Sequence, residues 1–406
     1  KDHGLRQLLP NGKERFAYGG QFGDSPHDGN FVADGLMHAD LTPHPAMREV
    51  AWVHRPVAAQ LVGPKSAPLI ELKNRQSFRD ISWLTATYEI VVDGAVKRKG
   101  KLALTSLGAG KTKRIKTPSI RGLSGDIRLN IRWKTKRTEL WCDRGHVVAW
   151  DQLEVKSARP KKILISKKMY EPQNIEPQLS LFRASIDNDG FKLLPNLAWV
   201  ETTTLKRWQQ QGIDAEVSQL VKNQIKREAR ADGSVRFEHS VVVPKTLDDL
   251  PRIGVSFPLP EGFTEISWWG NGPHECYPDR QSSAMMGIFS GQADELPYLV
   301  PQEYGLRTSC RWFEVSNPET KEVIRIEADG APLHMSALPY TTQDLYQAAD
   351  QTELTKRPYL TMNIDVAHRG LGTASCGPDV LPQYRISAGK YQFSYVISRE
   401  FRGTNR

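Results

Sequence analysis

The chain has little cysteine and carries no motif for a metal or a nucleotide. Its four cysteines, Cys142, Cys276, Cys310 and Cys376, lie far apart, and no two form a CxxC pair. A zinc site and a dithiol redox centre are therefore not indicated, and neither is a secreted fold held together by disulfides. The sequence contains neither the ligand spacing of an EF-hand nor the Gly-Lys-Ser/Thr of a P-loop.

The chain also lacks long apolar runs. None approaches the roughly eighteen residues of a membrane-spanning helix, and no signal peptide is visible. We therefore expect a cytoplasmic protein without a membrane partner. The sequence begins at Lys1 without an initiator Met, and we expect it to be part of a longer polypeptide.

Aromatic residues, in contrast, are plentiful along the chain. It has ten Trp, twelve Tyr and thirteen Phe. Disordered chains are poor in such residues, so these counts indicate a folded protein. Its length of 406 residues favours two or three domains over one.

Basic residues are concentrated in one segment. Between Lys97 and Arg137 there are fourteen Lys or Arg and a single acid, so this segment carries +13 while the whole chain carries +9. Residues 126–134 in this segment alternate polar and apolar, as a strand with one buried face does. The segment could be a phosphate-binding stripe or the basic outer face of a sandwich. We favour the second and expect no nucleic-acid partner, because no aromatic lies on the charged face and no nucleic-acid motif is present.

Strand patterns dominate the rest of the chain. Apolar and polar residues alternate at 84–92, and Asp93-Gly94 supplies a hairpin turn after them. Helices are predicted only at 45–53, 199–210 and 342–349, the last with Thr341 or Thr342 as N-cap. Residues 217–225 fit a helix or a strand. Further strands are predicted at 68–72, 147–155, 162–166, 237–243, 253–257, 323–328, 360–366, 383–386 and 391–398.

Three clusters could bind a ligand. Residues 19–35 contain many Gly together with three acids and a His, which suits a polyol or cation site as well as a structural turn cluster. Residues 268–280 pair two Trp with Glu275 and further polar residues, which suits sugars, although a strand end with core Trp would look similar. Residues 370–379 form a loop of small residues, in which a packed or pocket-lining Cys376 is favoured over a nucleophile.

Together and in their order, several stretches resemble the C-terminal portion of the large β-galactosidases of glycoside hydrolase family 2. These stretches are AYGGQFGD at 17–24, DGL at 34–36, ADLTPHP at 39–45, RASIDND at 183–189, WGNGP at 269–273 with Glu275 and YPDR at 277–280, and YGLR at 304–307.

The resemblance implies a mainly β architecture of three parts. Residues 1–50 would be the C-terminal end of the catalytic (β/α)8 barrel, and residues 51–156 an immunoglobulin-like β-sandwich. Residues 157–406 would be a large β-sandwich of the β-galactosidase small-chain type. The family usually has a longer stretch than residues 167–182 in this third part, so a hairpin has been lost there or residues are missing.

The resemblance also implies a retaining hydrolysis of terminal β-D-galactosides such as lactose. That reaction uses two carboxylates about 5–5.5 Å apart. No residue here matches the two catalytic Glu of the family, so no catalytic residue is assigned to this chain. The principal Mg²⁺ ligands are likewise expected outside it. The expected partners are the galactoside, the N-terminal part of the same enzyme and further copies in a homo-oligomer. The alternative is a non-catalytic subunit or carbohydrate-binding module that complements a separate N-terminal chain.

Binding roles are carried over by position. The carbonyl of Phe31 and the side chain of Asp34, where many members have Asn, match ligands of a Na⁺ beside the galactose. His27 and Asp28 match an adjoining loop, and Glu275 matches a mobile loop near the substrate. Cys376 stands where some members place a Trp against the substrate. The predicted substrate-binding residues are therefore His27, Asp28, Asp34, Glu275 and Cys376.

Overall fold

The computed structural model describes residues 1–103, 106–158, 170, 175–194, 203–213, 220–372 and 378–402. The chain divides into two compact units. The larger unit comprises Lys1–Met47, Lys167–Gln281 and Phe289–Arg406, and the smaller unit comprises Arg48–Ser166 and Ser282–Ile288. The predicted domain boundaries at residues 50 and 156 stay a prediction.

Strands make up most of the described regular structure, which confirms the mainly β class. The helices are α1 (Ala46–Val53), α2 (Thr204–Gln210) and α3 (Thr342–Gln347). No helix in the described ranges is long and apolar enough to cross a membrane. The strands are β1 (Leu5–Leu8), β2 (Glu14–Ala17), β3 (Val57–Val62), β4 (Leu69–Asn74), β5 (Leu84–Val92), β6 (Ala95–Lys101), β7 (Thr112–Lys116), β8 (Ile127–Thr135), β9 (Val147–Lys156), β10 (Gln178–Ser180), β11 (Lys222–Ala229), β12 (Val235–Val243), β13 (Arg252–Glu261), β14 (Glu265–Gly272), β15 (Met285–Gln292), β16 (Arg307–Cys310), β17 (Trp312–Ser316), β18 (Glu322–Ala328), β19 (Leu333–Leu338), β20 (Tyr359–His368) and β21 (Gly389–Phe401).

The smaller unit is a sandwich of two antiparallel sheets. Strands β6-β5-β8-β9 form one sheet and β3-β4-β7 the other, and side chains from both share one core. In β8, Ile131 and Trp133 are buried on one face, and Arg128 and Arg132 lie on the opposite face together with the buried Asn130. Arg128 pairs with Asp126 at 2.7 Å, and Arg132 pairs with Glu89. These carboxylates neutralise part of the positive charge on this face, where both arginine side chains are partly buried.

The larger unit contains a second sandwich. A seven-stranded sheet in the order β11-β12-β21-β18-β17-β14-β15 and a five-stranded sheet in the order β10-β13-β20-β19-β16 contribute to one core. Phe237, Phe313 and Tyr395 from the first sheet share this core with Phe257 and Met362 from the second. The first 45 residues contain the β1–β2 hairpin and an isolated bridge between Met37 and Pro43 among turns.

Three predicted elements need correction. Residues 383–386 are not a strand, because Pro382 lacks an N–H for a sheet and begins a 3₁₀ turn at Pro382–Tyr384. Of the helix predicted at 199–210, Thr204–Gln210 is helical, whereas Thr203 is extended and caps the N–H of Lys206 with its hydroxyl, and residues 199–202 lie outside the described residues. The helical alternative for 217–225 is wrong from Lys222 onward, where β11 begins. Residues 217–219, and the strand predicted at 162–166, lie outside the described residues.

The other helical predictions hold to within two residues. The helix predicted at 45–53 is Ala46–Val53, and the helix predicted at 342–349 is Thr342–Gln347. Thr341 is its N-cap, and Asp344 completes a capping box with it.

Candidate functional site

The larger unit contains a cavity of about 410 Å³ that is rich in carboxylates. Four separate parts of the chain line it: turns within the first 46 residues, residues 186–188, residues 279–303 and residues 371–372. Carboxylate and amide side chains from these parts stand beside aromatic and aliphatic ones. This mixture can bind hydroxyl groups on one side and an apolar surface on the other.

A rigid wall of the cavity is formed by Asp2 and His44. Asp2 is buried and accepts the main-chain N–H of Gly35 at 2.8 Å, while its other oxygen lies 2.6 Å from Nε2 of His44. The His44 ring stacks on Tyr298, with the ring centroids 5.3 Å apart. Both side chains of the pair are almost fully buried, so they fix the shape of the wall.

Tyr298 is held in turn by Glu275. The Tyr298 hydroxyl donates to Oε1 of Glu275 at 2.5 Å, and Arg280 donates to the same oxygen at 2.5 Å. Oε2 of Glu275 accepts the N–H of Gly305 at 2.7 Å. Burial, reinforced by the charge of Glu275, raises the pKa of Tyr298, so this hydroxyl stays protonated. Glu275 itself is buried and lies outside the lining of the large cavity, whereas Tyr298 and Arg280 belong to it.

A buried ion pair shapes the turn that brings Asp187 and Asn188 to the cavity. Arg183 and Asp189 are fully buried and are joined by two hydrogen bonds of 2.7 and 3.0 Å. Asp189 also accepts the main-chain N–H of Ile186 at 2.9 Å. Its own N–H donates to the Ile186 carbonyl at 2.9 Å, which closes the turn. Asp187 and Asn188 therefore lie in a turn that the buried ion pair and these two hydrogen bonds hold in place.

Asp187 is an acid of the cavity whose pKa is clearly perturbed. One oxygen accepts from Asn30 Nδ2 at 2.6 Å and the other from Gln302 Nε2 at 3.3 Å. Burial raises the pKa of Asp187 to about 6, although both hydrogen bonds act to lower it. A carboxylate kept in such a position at a cost to stability is typical of a functional site.

Replacing Asp187 by Asn should therefore stabilise the fold at neutral pH. The folded pKa lies above the unfolded value, so the stability from Asp187 is present below about pH 4 and is lost as the pH rises through about 6. Above that range the ionised group costs about 3 kcal/mol. We expect Asp187→Asn to raise the free energy of unfolding at neutral pH by up to this amount, but not at pH 4, as measured by urea denaturation. The control is Asp40→Asn, which changes an exposed acid. If Asp187→Asn and Asp40→Asn change the free energy of unfolding equally at pH 4 and at neutral pH, the raised pKa of Asp187 is refuted.

Asp279 fixes the far edge of the cavity. Its carboxylate accepts the N–H of Leu371 at 2.9 Å and that of Gly372 at 2.8 Å, and Asn188 donates to the Leu371 carbonyl at 3.2 Å. A Cβ on Gly370 would lie 2.6 Å from Asp279, so the close approach requires glycine there. The predicted Cys376 lies outside the described residues.

The predicted cation ligands are Asp34 and Phe31, of which Asp34 lines this cavity. Asp34 is exposed, and the ring of Phe31 packs edge-on against Phe191 at 5.1 Å. Next to Phe31, the buried Asn30 directs Nδ2 to Asp187 but leaves Oδ1 without a partner among the described residues. A carbonyl, a carboxylate and an unsatisfied amide oxygen are the donor types that a hard cation prefers, so the residues fit Na⁺. No group of three or more His, Cys, Asp or Glu that could hold a metal occurs in the described ranges.

The remaining predicted residues lie outside the cavity lining. His27 and Asp28 are both exposed. Nδ1 of His27 accepts the N–H of Gly29 at 3.1 Å, and the Asp28 carbonyl accepts the N–H of Phe31 at 2.8 Å. Both contacts shape the local turn. The substrate-binding roles of His27, Asp28, Glu275 and Cys376 stay predictions.

Sequence reasoning assigned no role to several cavity residues. His44, Asp187, Asn188 and Asp279 belong to stretches that carried the family resemblance, and that was the signal available for them. Neither Asp2 nor Tyr298 lies in a recognised motif.

Family comparisons cover nearly the whole chain. The β-galactosidase small chain model matches residues 154–397, the β-galactosidase domain 4 model matches residues 70–156, and the family 2 glycosyl hydrolase TIM barrel domain model matches residues 1–59.

Individual relatives agree with the family models. The β-galactosidase of Arthrobacter sp. (strain B7) is 28% identical over 95% of this chain and 45% of its own length. The β-galactosidase of Actinobacillus pleuropneumoniae is 27% identical over 96% of this chain and 43% of its own length. The chain thus spans somewhat less than half the length of these relatives. Among solved structures, the exo-chitosanase CsxA of Amycolatopsis orientalis is 12% identical, and the match covers 64% of this chain and 25% of the CsxA chain. Its TM-score of 0.21 supports no conclusion. The small-chain model alone matches more than half of the residues, and the chain accordingly belongs to glycoside hydrolase family 2, where it matches the C-terminal portion of the large β-galactosidases.

Proposed function

We propose that the chain is part of a retaining β-galactosidase and that its cavity receives the galactosyl group of terminal β-D-galactosides such as lactose. The observation that carries this proposal is the lining of the 410 Å³ cavity in the larger unit. Its volume lies within the range of about 300–1,000 Å³ that is usual for small-molecule sites. A sugar has polar edges and apolar ring faces, and the lining offers groups for both.

Asp34 and Asn188 are the groups best placed to contact hydroxyls. Neither the Asp34 carboxylate nor Oδ1 of Asn188 has a hydrogen-bond partner among the described residues, and both residues are exposed. Asp187 already accepts hydrogen bonds from Asn30 and Gln302, so it orients these two side chains and contributes a negative charge to the cavity.

Tyr298, Leu299 and Leu371 provide the apolar side of the cavity.

Chemistry at the anomeric carbon is assigned to residues outside this chain. Retention requires a carboxylic acid and a carboxylate nucleophile about 5–5.5 Å apart, and the family resemblance places both upstream. In this proposal the chain binds and orients the sugar. Residues 1–50 complete the barrel, residues 51–156 form the immunoglobulin-like sandwich, and residues 157–406 form the large sandwich. The proposed enzyme is a cytoplasmic homo-oligomer.

Epimer discrimination tests the proposed function. We expect the intact protein to hydrolyse a chromogenic β-galactoside with a kcat/KM at least about a hundredfold above that for the matching β-glucoside, which differs only at C4. Equal rates on both sugars would contradict a galactose-specific cavity. Binding of galactose without turnover by the intact protein would instead identify a non-catalytic carbohydrate-binding protein.

We further propose that the Phe31 carbonyl and the Asp34 carboxylate hold a Na⁺ next to the sugar, and that Mg²⁺ is bound mainly by residues outside this chain. A bound monovalent cation would offset the negative charge of Asp34 and Asp187. It would also present a positive centre to a substrate hydroxyl oxygen.

Removing the Asp34 carboxylate should weaken substrate binding. We expect Asp34→Ala to raise KM for the β-galactoside about tenfold and to blunt its dependence on Na⁺, because a charged ligand oxygen is lost. Asp34→Asn keeps an oxygen and should retain most of the affinity. Asp40→Ala removes an exposed acid outside the cavity and serves as the control. If KM and Na⁺ dependence stay unchanged in Asp34→Ala, Asp34 is not a cation ligand.

A further inference from the structure

Lys192 ends in an unusual cluster of main-chain carbonyls. Its Nζ donates to the carbonyls of Pro301 at 2.7 Å, Leu345 at 2.8 Å, Tyr346 at 3.2 Å and Ala348 at 2.6 Å. An ammonium group has three protons, so these four oxygens share them and surround the nitrogen as ligands surround a cation. We call these four oxygens the carbonyl cage.

The carbonyl cage joins segments that are distant in sequence. Three of its oxygens belong to the C-terminal end of α3, where helix carbonyls lack partners within the helix and the helix dipole favours a positive charge. The fourth belongs to Pro301, which precedes the cavity residues Gln302 and Glu303. Lys192 follows the turn that carries Asp187 and Asn188.

The end of α3 also contacts the first part of the chain. The Tyr18 hydroxyl donates to the carbonyl of Ala349, and Gln21 Nε2 donates to Asp350 Oδ2 at 3.0 Å. Gln351 donates from its side chain to the carbonyl of the cavity residue Tyr298. Through the cage, Lys192 is therefore linked to three of the chain segments that line the cavity.

The charge at Lys192 is only partly compensated. Burial lowers the pKa of Lys192 to about 8, while the carboxylates of Asp187 and Glu353 act in the opposite direction. At neutral pH the ammonium form prevails, so a full positive charge occupies the cage.

We propose that Lys192 is a built-in cation: its ammonium group fills a site for a monovalent cation and thereby positions the cavity wall for the sugar. Lys192 is a positioning residue and does not touch the substrate. Its effect on sugar binding rests on the function proposed above, whereas the occupancy of the cage does not.

Chemical rescue tests this role in the intact protein. We expect Lys192→Ala to lower the melting temperature by at least about 4 °C and the affinity for galactose about tenfold. Ammonium or methylammonium chloride should restore part of both, because these ions fit the space vacated by the side chain. Tetramethylammonium chloride is too large and lacks N–H donors, so it should restore neither.

Two matched variants complete the experiment. Lys192→Met keeps the aliphatic stem but loses the charge, so it should show the same losses without rescue. Lys206 is exposed on α2, and Lys206→Ala should behave as the wild type. Wild-type melting temperature in either Lys192 variant, or equal rescue by tetramethylammonium, would overturn the proposal.

A measurement on the wild type covers the case in which the variants do not fold. Amine acetylation followed by peptide mass spectrometry should label Lys206 at least about a hundredfold faster than Lys192, because Lys192 reacts only when the end of α3 opens. Equal labelling of both amines would refute the cage. If the wild type does not bind galactose, the proposed function fails, while the melting and labelling results still decide the role of Lys192.

Discussion

Asp189→Asn is expected to lower the free energy of unfolding by about 3–5 kcal/mol. Asparagine can still accept the N–H of Ile186, but it removes the negative charge facing Arg183, which is fully buried. The cost of an uncompensated charge in a poorly solvating interior outweighs the loss of a single neutral hydrogen bond. In urea denaturation, this loss should lower the urea concentration at the unfolding midpoint and leave the m-value unchanged.

The control for this experiment is an exposed ion pair. Lys356 and Asp294 lie 2.7 Å apart, with about half of each side chain exposed. Asp294→Asn should cost no more than about 1 kcal/mol, because water screens the pair. The double change Arg183→Met with Asp189→Leu should recover part of the lost stability, since it removes both charges. Equal losses from Asp189→Asn and Asp294→Asn would contradict the structural role of the buried pair.

Glu275→Gln is expected to give the second large effect, a loss of about 2–4 kcal/mol. The carboxylate binds Arg280, the Tyr298 hydroxyl and the N–H of Gly305 at once, and a neutral amide cannot accept all three. Arg280 would lose its counter-charge, and Tyr298 would lose the contact that holds it at the cavity. We therefore expect weaker galactose binding together with lower stability, as measured by calorimetry and urea denaturation.

The same experiment separates two roles for Glu275. Its predicted role as a substrate ligand requires a raised KM with unchanged stability. The contacts in the structure instead require that stability and binding fall together. Glu295→Gln changes an exposed acid that lines the same small cavity of about 170 Å³ as Glu275, and it should alter neither property.

The strands and helix caps were largely predictable from the sequence because their signals are local. The alternation in β8 identified the buried face with Trp133 and the charged face with Arg128. Thr341 was recognised as a candidate N-cap because a cap acts within one helical turn. The strand predicted at 383–386 failed because Pro382, just outside the pattern, decides the local geometry.

The candidate site was less predictable because its contacts span long distances in sequence. Asn30 meets Asp187 across 157 positions, and Asp2 meets His44 across 42. No periodicity relates such residues. The family resemblance pointed to the stretches that contain Asp187 and His44, whereas Asp2 lies in no recognised motif. For Glu275, the substrate-binding role stays a prediction, and its burial and three hydrogen bonds within the chain are contacts that no local pattern predicts.

The central claim is that this chain forms a wall of a galactoside site whose catalytic carboxylates lie elsewhere. The most direct test is the turnover of a chromogenic β-galactoside by the purified 406-residue chain, before and after addition of the N-terminal part of the enzyme. We expect no turnover by the chain alone, and turnover with Na⁺ and Mg²⁺ present once the N-terminal part is added. Turnover by the 406 residues alone would contradict the claim, because it would require a pair of catalytic carboxylates within this chain.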